Sequence, residues 1–246
     1  MPLEQKLTMD NFWEEYAKSY GNANDLEEKI RNRVGFFLEK LIANHKDGGV
    51  SILELACGNG KILHKIARFL RSEDKLVGVD SSAGMITEAR KLLSDNICEL
   101  HNEGMMDFLS NQAKKYDAIV CCNSLHNLES RFHIENAILC MCEKVALGGK
   151  IIFDIRNTFN PFVYCGYRKN RLKGLFFHTF SFLKAKKILK SADFKIITCE
   201  PIYYLNLEEA GKADGSFFIK IIRRLYLFIT SFKIFSQYIL ICAEKK

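Results

Sequence analysis

The chain has 246 residues, of which 48% are hydrophobic and 26% charged, and its formal net charge is +7. This length and composition are typical of a soluble globular protein with one substantial core. Its nine cysteines include no CxxC pair, which argues against a zinc site or a disulfide framework and favours buried thiols in a cytoplasmic protein without a metal. The positive charge suits an acidic small molecule, an anionic membrane surface or a nucleic acid, and selects none of them.

The amino-terminal residues lack the apolar core of a signal peptide. Residues 9–20 form a short aromatic segment with Asp10 as a predicted helix cap, and a second helical pattern runs from Leu26 to Leu41. We interpret the region of about 9–45 as a cap segment on the domain. Asp47-Gly-Gly49 is predicted as the turn into the first strand.

The segment from Ser51 to Lys61, SILELACGNGK, is the most informative in the chain. A short apolar run predicts a buried strand, the glycines predict a turn, and apolar spacing from Ile62 to Leu70 predicts a helix. This βα unit brings backbone close to a nucleotide-like ligand, because glycine has no Cβ to hold the ligand away. Glu54 lies inside the apolar strand, where a charge is costly without a partner or a ligand.

A second predicted strand, Lys75–Asp80, ends in an acid about twenty residues past the glycines, where an open α/β sheet places a carboxylate for ribose hydroxyls. Up to this point a dinucleotide oxidoreductase and an S-adenosylmethionine enzyme are both open. Leu63 occupies the place of the third glycine in GxGxxG, so no pyrophosphate cradle is completed. Glu54 precedes the glycines, where it could meet a ligand ammonium group. Both details favour the S-adenosylmethionine enzyme.

The sequence LELACGNG, from Leu53 to Gly60, closely resembles the first motif of class I S-adenosylmethionine-dependent methyltransferases. The resemblance implies S-adenosyl-L-methionine as the cofactor and transfer of its methyl group by in-line displacement. The residues that it implies for cofactor binding are Glu54, Ala56, Gly58, Asn59, Gly60, Asp80, Ser81, Met85, Glu103, Gly104, Met105, Asn123 and Leu125, with Tyr16 or Tyr20 folding over the ligand.

Individual roles follow from the same resemblance. Glu54 would meet the methionyl ammonium group and Asp80 the ribose hydroxyls. An acid after the third predicted strand, 96–101, would read the adenine amino group. Glu103 is favoured for this over Asp107, which is equally suited to capping the next helix.

The fourth predicted strand, Tyr116–Cys122, is followed by NSLHNL, which resembles the family's fourth motif beside the sulfonium and its methyl group. His126 in this loop is the candidate general base, which is required only for a protonated and weakly nucleophilic acceptor. The favoured alternative is a histidine that lines or supports the cofactor site. Positioning of the reacting atoms can supply much of the acceleration without a base.

The remaining regular elements complete an alternating pattern of helices and strands. They are predicted as a helix over 131–144, a tight turn at 147–149, a strand over 150–155, a helix over 181–192 and strands over 193–199 and 236–243. The pattern predicts one α/β domain over residues 1–246, doubly wound, with a mostly parallel seven-stranded sheet and helices on both faces. The resemblance implies that the last strand is antiparallel.

Two insertions, at about 157–178 and 206–235, interrupt this pattern and are predicted to contact the acceptor. In the first, Tyr164, Arg168 and Arg171 predict a planar or lipid-like acceptor that carries phosphate or carboxylate. A solvated loop is the alternative.

In the second insertion, residues 217–235 have the pattern of a basic amphipathic helix. This pattern predicts peripheral contact with an anionic membrane, a lid over the pocket or a dimer contact. Its charged residues argue against a membrane-spanning helix. No separate basic domain or stacking motif points to a nucleic-acid partner.

The sequence therefore predicts an S-adenosylmethionine-dependent methyltransferase with a small-molecule or lipid-like acceptor. The oligomeric state and the methylated atom are left open. Two alternatives come from other classes. One is a catalytically silent protein that binds the cofactor in a regulatory role, and the other is an NAD(P)-dependent oxidoreductase built on a similar first βα unit.

Overall fold

A computed structural model describes residues 25–45, 48–93, 97–160, 163, 166–167, 176–202 and 236–246. The aromatic segment 9–20, with Tyr16 and Tyr20, lies outside these residues. So do the insertion 206–235 and the three acceptor candidates Tyr164, Arg168 and Arg171. The functions expected of them stay predictions.

The described helices match the predicted order along the chain. They are α1 (Asp25–Asn44), α2 (Lys61–Ala67), α3 (Ala83–Leu92), α4 (Met105–Asn111), α5 (Arg131–Lys144) and α6 (Phe182–Ser191). The strands are β1 (Ser51–Leu55), β2 (Lys75–Asp80), β3 (Glu99–Asn102), β4 (Tyr116–Cys121), β5 (Val145–Arg156), β6 (Phe194–Ile202) and β7 (Tyr238–Lys245). A single 3₁₀ turn covers Leu125–Asn127.

The strands form one seven-stranded sheet in the order β3-β2-β1-β4-β5-β7-β6. β1 is parallel to both β2 and β4, whereas β7 is antiparallel to β5 and β6. This confirms the predicted fold class, including the antiparallel last strand. The chain moves outward from β1 to β3 and then returns to the other side of β1 as β4. Such a switch of direction leaves a crevice at the carboxyl ends of β1 and β4, where α/β sheets bind ligands.

Apolar side chains cover both faces of the sheet. Along β1, Leu53 belongs to the cluster that includes the buried side chains of α4, α5 and α6. Ile52 belongs to the cluster under α1, α2 and α3. Because neighbouring strand residues point to opposite faces, Glu54 shares the face of Ile52 and is directed toward the α1 side. Burial on both faces explains why β1 reads as a continuous apolar run rather than an alternating one.

The predicted tight turn at 147–149 is wrong. These residues belong to β5, which begins at Val145 and carries extra residues opposite β4, where the register shifts between Tyr116 and Ala118. Gly148 has φ 72°, and a Cβ on Gly149 would lie 2.9 Å from the carbonyl oxygen of Asp117. The paired glycines thus allow a bulge in a strand, because the ladder continues on both sides of them.

Candidate functional site

A cavity of about 560 Å³ opens at the carboxyl ends of β1, β2 and β4, at the switch of strand direction. This volume lies within the range of small-molecule sites. Nine of the 21 described wall residues end or directly follow these strands. They are Ala56, Cys57, Gly58 and Asn59 after β1, Asp80 and Ser81 at the end of β2, and Cys122, Asn123 and Ser124 after β4.

The glycine turn after β1 is held by the acid that ends β2. Gly58 has φ 53°, and its N–H donates to Asp80 Oδ2 at 2.8 Å. The N–H of Ser82 donates to Asp80 Oδ1 at 2.9 Å, while the Ser82 hydroxyl caps α3 by accepting from the N–H of Met85. Asp80 therefore joins the glycine turn to the start of α3 and brings both to the cavity.

Glu54 is the most unusual group on the wall. Its side chain is 2% exposed, and Oε2 has no hydrogen-bond partner within the described structure. Burial and the nearby negative charge of Asp80 raise the pKa of Glu54 well above its ordinary value, although a backbone hydrogen bond from Leu63 opposes the shift. A buried acceptor without a donor is costly, so this oxygen indicates a place for a ligand that donates a hydrogen bond.

Several other predicted cofactor residues lie on the same wall, and some do not. Ser81, Met85 and Met105 line the cavity, as do Ala56 and Asn59. Gly60, Glu103, Gly104 and Leu125 are absent from the described lining.

Three of these positions have local physical causes. Gly60 has φ 75° and packs against α3, where an added Cβ would lie 3.0 Å from Ala89 Cβ. Glu103 accepts a hydrogen bond from Asn111 on α4. Leu125 is 1% exposed and belongs to the core beneath the 3₁₀ turn. Their expected contacts with the cofactor stay predictions.

The loop after β4 supplies three more residues to the wall, Asn127, Leu128 and Glu129. Its second residue, Asn123, has φ 58°. Its backbone N–H donates to Asp154 Oδ1 at 2.5 Å, and its side-chain oxygen accepts from Arg156 Nη2 at 2.8 Å. These two residues on β5 therefore fix the conformation in which the loop leaves β4.

Sequence reasoning missed Asp154 and Arg156. Both are buried, and Arg156 also reaches the Tyr167 hydroxyl from Nε at 3.2 Å and lies over the Tyr238 ring at 3.9 Å. Although burial disfavours its charge, Asp154 and the two tyrosines raise the pKa of Arg156 above its ordinary value. The sequence did contain a signal for this pair, because two opposite charges two residues apart in an apolar strand must share one buried face.

His126 lies next to this network and off the described cavity wall. Its ring stacks on Tyr167, with centroids 6.1 Å apart and planes at 13°, and contacts Phe177 at 5.6 Å. Burial and the positive charge of Arg156 lower the pKa of His126 well below its ordinary value. The imidazole is therefore neutral near pH 7. Its role as a general base stays a prediction.

Helix α1 also contributes to the cavity, through Glu27, Ile30 and Arg31. Arg31 Nη1 lies 3.7 Å from Glu27 Oε2 one helical turn away. Phe176, which is 48% exposed, reaches the wall from the 157–178 insertion. The sequence predicts that α1 belongs to a cap segment and that the 157–178 insertion contacts the acceptor, but it did not single out these residues.

The comparison with known protein families agrees with this geometry. Residues 52–149 match the family model described as "Methyltransferase domain". Over this segment the chain carries a methyltransferase domain, with the fold of the class I enzymes. One curated relative is the dTDP-3-amino-3,6-dideoxy-alpha-D-glucopyranose N,N-dimethyltransferase of Streptomyces fradiae, which is 26% identical over 141 residues. That match covers 57% of this chain and about half, 52%, of the relative.

Solved structures share the fold of the methyltransferase domain over nearly the whole chain. Magnesium protoporphyrin IX methyltransferase from Synechocystis PCC 6803, crystallised with S-adenosylhomocysteine, has a TM-score of 0.63 at 16% identity. The alignment covers 96% of this chain and 94% of that one. The N-methyltransferase NodS from Bradyrhizobium japonicum WM9, also with S-adenosylhomocysteine, has a TM-score of 0.61 at 16% identity, with 96% and 99% covered.

The cavity of the methyltransferase domain fits the methyl donor of this family, S-adenosylmethionine. The donor carries an ammonium group, which can satisfy the buried Glu54 oxygen, and a ribose diol suited to a carboxylate such as Asp80. No three His, Cys, Asp or Glu side chains of the described ranges are placed to hold a metal ion. Among the described helices, none is both long and apolar enough to cross a membrane.

Proposed function

We propose that this protein transfers the methyl group of S-adenosylmethionine to a small-molecule acceptor bound in the cavity. The buried Glu54 oxygen carries this proposal, because it belongs to a residue that lines the cavity at the strand switch and it lacks a hydrogen-bond donor. An ammonium group of the cofactor would supply that donor. The family match over residues 52–149 also supports methyl transfer.

Other residues of the wall have proposed roles in holding the cofactor. Asp80 would accept hydrogen bonds from the ribose. The turn of Gly58 and Asn59 would lie against the methionine part, because glycine lets the backbone approach closely. Met85 and Met105 would pack against the adenosine, and Asn123 would lie beside the sulfur.

When bound, S-adenosylmethionine supplies a methyl carbon that its positive sulfur activates for in-line attack. The protein's part is then to orient the acceptor and exclude water, which can account for most of the acceleration. The fixed loop at Asn123 and the buried network behind it suit this role, because rigid side chains lose little entropy when the reacting atoms meet.

The acceptor would enter beside α1 and the 157–178 insertion. Ile30, Leu128 and Phe176 give this part of the wall an apolar surface, which suits a ring or a hydrocarbon portion of a small molecule. By their names, one relative acts on a deoxyamino sugar nucleotide and another on a magnesium porphyrin. Two of these proteins are N-methyltransferases, whereas other structural neighbours are named a carbon methyltransferase and an O-methyltransferase family protein, so the names do not select the methylated atom.

Thermal unfolding with S-adenosylmethionine, S-adenosylhomocysteine and NAD tests the cofactor. A ligand that binds only the folded state raises the melting temperature, so we expect a rise with the first two and none with NAD. Asp80→Ala is expected to abolish the rise, whereas Glu88→Ala on the outer side of α3 keeps it. A rise with NAD alone would reverse the assignment.

Turnover needs a separate measurement, because a silent binding protein would pass the first one. We would incubate the protein with methyl-labelled S-adenosylmethionine and fractionated cell extract, and follow label in the aqueous, lipid and macromolecular fractions. Label in the aqueous fraction is expected. Binding of both cofactor forms without label in any fraction would favour the regulatory alternative.

A further inference from the structure

A second buried oxygen of the cavity wall lacks a donor. Asn127 Oδ1 is buried, has no hydrogen-bond partner in the described structure and belongs to a residue that lines the cavity. The backbone of Asn127 is held in place, since its N–H donates to the Ser124 carbonyl at 2.8 Å within the 3₁₀ turn. The side chain of this wall residue therefore keeps a buried acceptor without a protein donor.

The two unpartnered oxygens come from separate parts of the wall. Glu54 belongs to β1 and is directed toward the α1 side of the sheet, whereas Asn127 lies in the loop after β4. Glu54 carries a buried carboxyl group, which suits a cationic amine such as that of the cofactor. The neutral amide oxygen of Asn127 is then available to the other ligand. That ligand must bring an N–H or O–H group, because a carbon acceptor would leave the oxygen unsatisfied.

The choice between N–H and O–H depends on proton removal. A hydroxyl must lose its proton as the new bond forms, and this requires a general base within hydrogen-bond reach. The described wall contains no histidine or tyrosine, and His126 stacks on Tyr167 outside it. Of the wall carboxylates, Glu54 and Asp80 are assigned to the cofactor, Glu27 is paired with Arg31, and Glu129 is exposed to solvent. The wall thiols of Cys57 and Cys122 have pKa values raised by burial, so they are protonated near neutral pH.

A neutral amine needs no base before it attacks. Its lone pair forms the nitrogen–carbon bond while the carbon–sulfur bond of the donor breaks, and that bonding pair stays on sulfur. The nitrogen then releases its extra proton to solvent.

We propose, on the basis of the function proposed above, that the methyl acceptor is a primary or secondary amine whose N–H donates to Asn127 Oδ1. Asn127 thus selects the nucleophile by satisfying its hydrogen, and its side chain is not expected to bind the cofactor. Measurements can therefore distinguish the role of Asn127 from the roles of Glu54 and Asp80 in cofactor binding.

The first experiment uses Asn127→Leu, which keeps the side-chain size and removes the amide, with Asn44→Leu at the exposed carboxyl end of α1 as the control. Titration calorimetry with S-adenosylhomocysteine should give dissociation constants within about twofold of wild type for both variants. Label transfer to the active extract fraction should fall about tenfold or more for Asn127→Leu, because this variant loses one hydrogen bond to the substrate, and should not fall for the control variant. Weaker S-adenosylhomocysteine binding in Asn127→Leu of similar size would overturn the assignment.

The second experiment identifies the nucleophile with the wild-type protein. The active fraction is treated with the N-hydroxysuccinimide ester of acetic acid, which acylates amines and largely spares hydroxyls, before the labelling reaction. Loss of most label supports an amine. Label that survives the treatment overturns this inference and leaves the methyltransferase function intact. Failure of the untreated fractions to take up any label would reject transfer itself, together with the amine.

Discussion

Arg156 Nη1 lies 2.7 Å from Asp154 Oδ2, in an ion pair whose members are only 7% and 2% exposed. Both residues also hold Asn123, one by its side-chain oxygen and the other by its backbone N–H. A buried ion pair gives little net stability compared with apolar residues of the same size, because desolvation offsets the attraction. Its value here is geometric, since it sets the exit of the loop that lines the cavity.

Breaking this pair from one side is expected to be severe. Arg156→Met leaves the Asp154 carboxylate buried without an opposite charge, which costs about 3–5 kcal/mol of unfolding free energy. Urea unfolding measures this loss. Lys150→Met is the control on the same strand, because its pair with Glu244 is partly exposed and is expected to contribute at most about 1 kcal/mol. Equal losses in the two variants would contradict a special role for the buried pair.

Glu54 is expected to release a proton when a cationic ligand binds. Because its pKa is raised by burial and by Asp80, the neutral form is favoured in the free protein, and an ammonium group would favour the carboxylate. Calorimetric titration with S-adenosylmethionine in two buffers of different ionisation enthalpy measures the proton release. Glu54→Gln should abolish it and weaken binding. The prediction fails if wild type and variant release the same number of protons.

The same raised pKa predicts how stability depends on pH. The contribution of Glu54 is full below the ordinary pKa of 4.5 and is lost as the pH rises through the higher pKa of the folded state. Glu54→Gln removes the titration, so the ligand-free variant should unfold at a higher temperature than wild type near pH 8. A lower melting temperature for the variant at that pH would show that the carboxylate is stabilised by the fold.

His126 should make the protein less stable in mild acid. Its pKa is lowered by burial and by Arg156, so the unfolded chain takes up a proton at a pH where the folded state does not. Its contribution to stability is complete above the ordinary pKa of 6.5 and is lost as the pH falls toward the folded pKa, by at most about 1.4 kcal/mol per pH unit. Chemical unfolding can be measured at pH 7 and at pH 5, which lies about 1.5 units below the ordinary histidine pKa. The unfolding free energy should fall less between these two pH values in His126→Gln than in wild type. Identical curves would refute the shift.

Gly58 and Gly148 offer a matched pair of glycine substitutions. Both have positive φ, at 53° and 72°, and an added Cβ would meet no atom closer than 4 Å at either site. Gly58→Ala and Gly148→Ala should therefore cost a similar backbone strain of about 1–2 kcal/mol. Only Gly58 lines the cavity, so only Gly58→Ala should weaken S-adenosylhomocysteine binding in calorimetry. Equal binding by the two variants would place the ligand away from the glycine turn.

Local pattern in the sequence was enough for the α/β class, the resemblance to a known family supplied the antiparallel last strand, and local pattern also marked two residues of the expected cofactor site. Apolar spacing predicts helices and strands because the periods of 3.6 and 2 decide which side chains share a face. Glu54 is conspicuous as a charge inside an apolar strand, and Asp80 as the acid that ends the next strand. These signals need only neighbouring residues, so they are readable before folding.

Tertiary structure alone decided which distant residues meet. Asn123 and Arg156 bond across 33 positions of sequence, and Glu27 and Arg31 reach the cavity because α1 packs beside α2. Leu125 adjoins the expected site in sequence, yet the 3₁₀ turn directs it into the core. Gly148 and Gly149 look like a turn but serve a bulge. In each case the outcome depends on the pairing and packing of other elements, which no local period records.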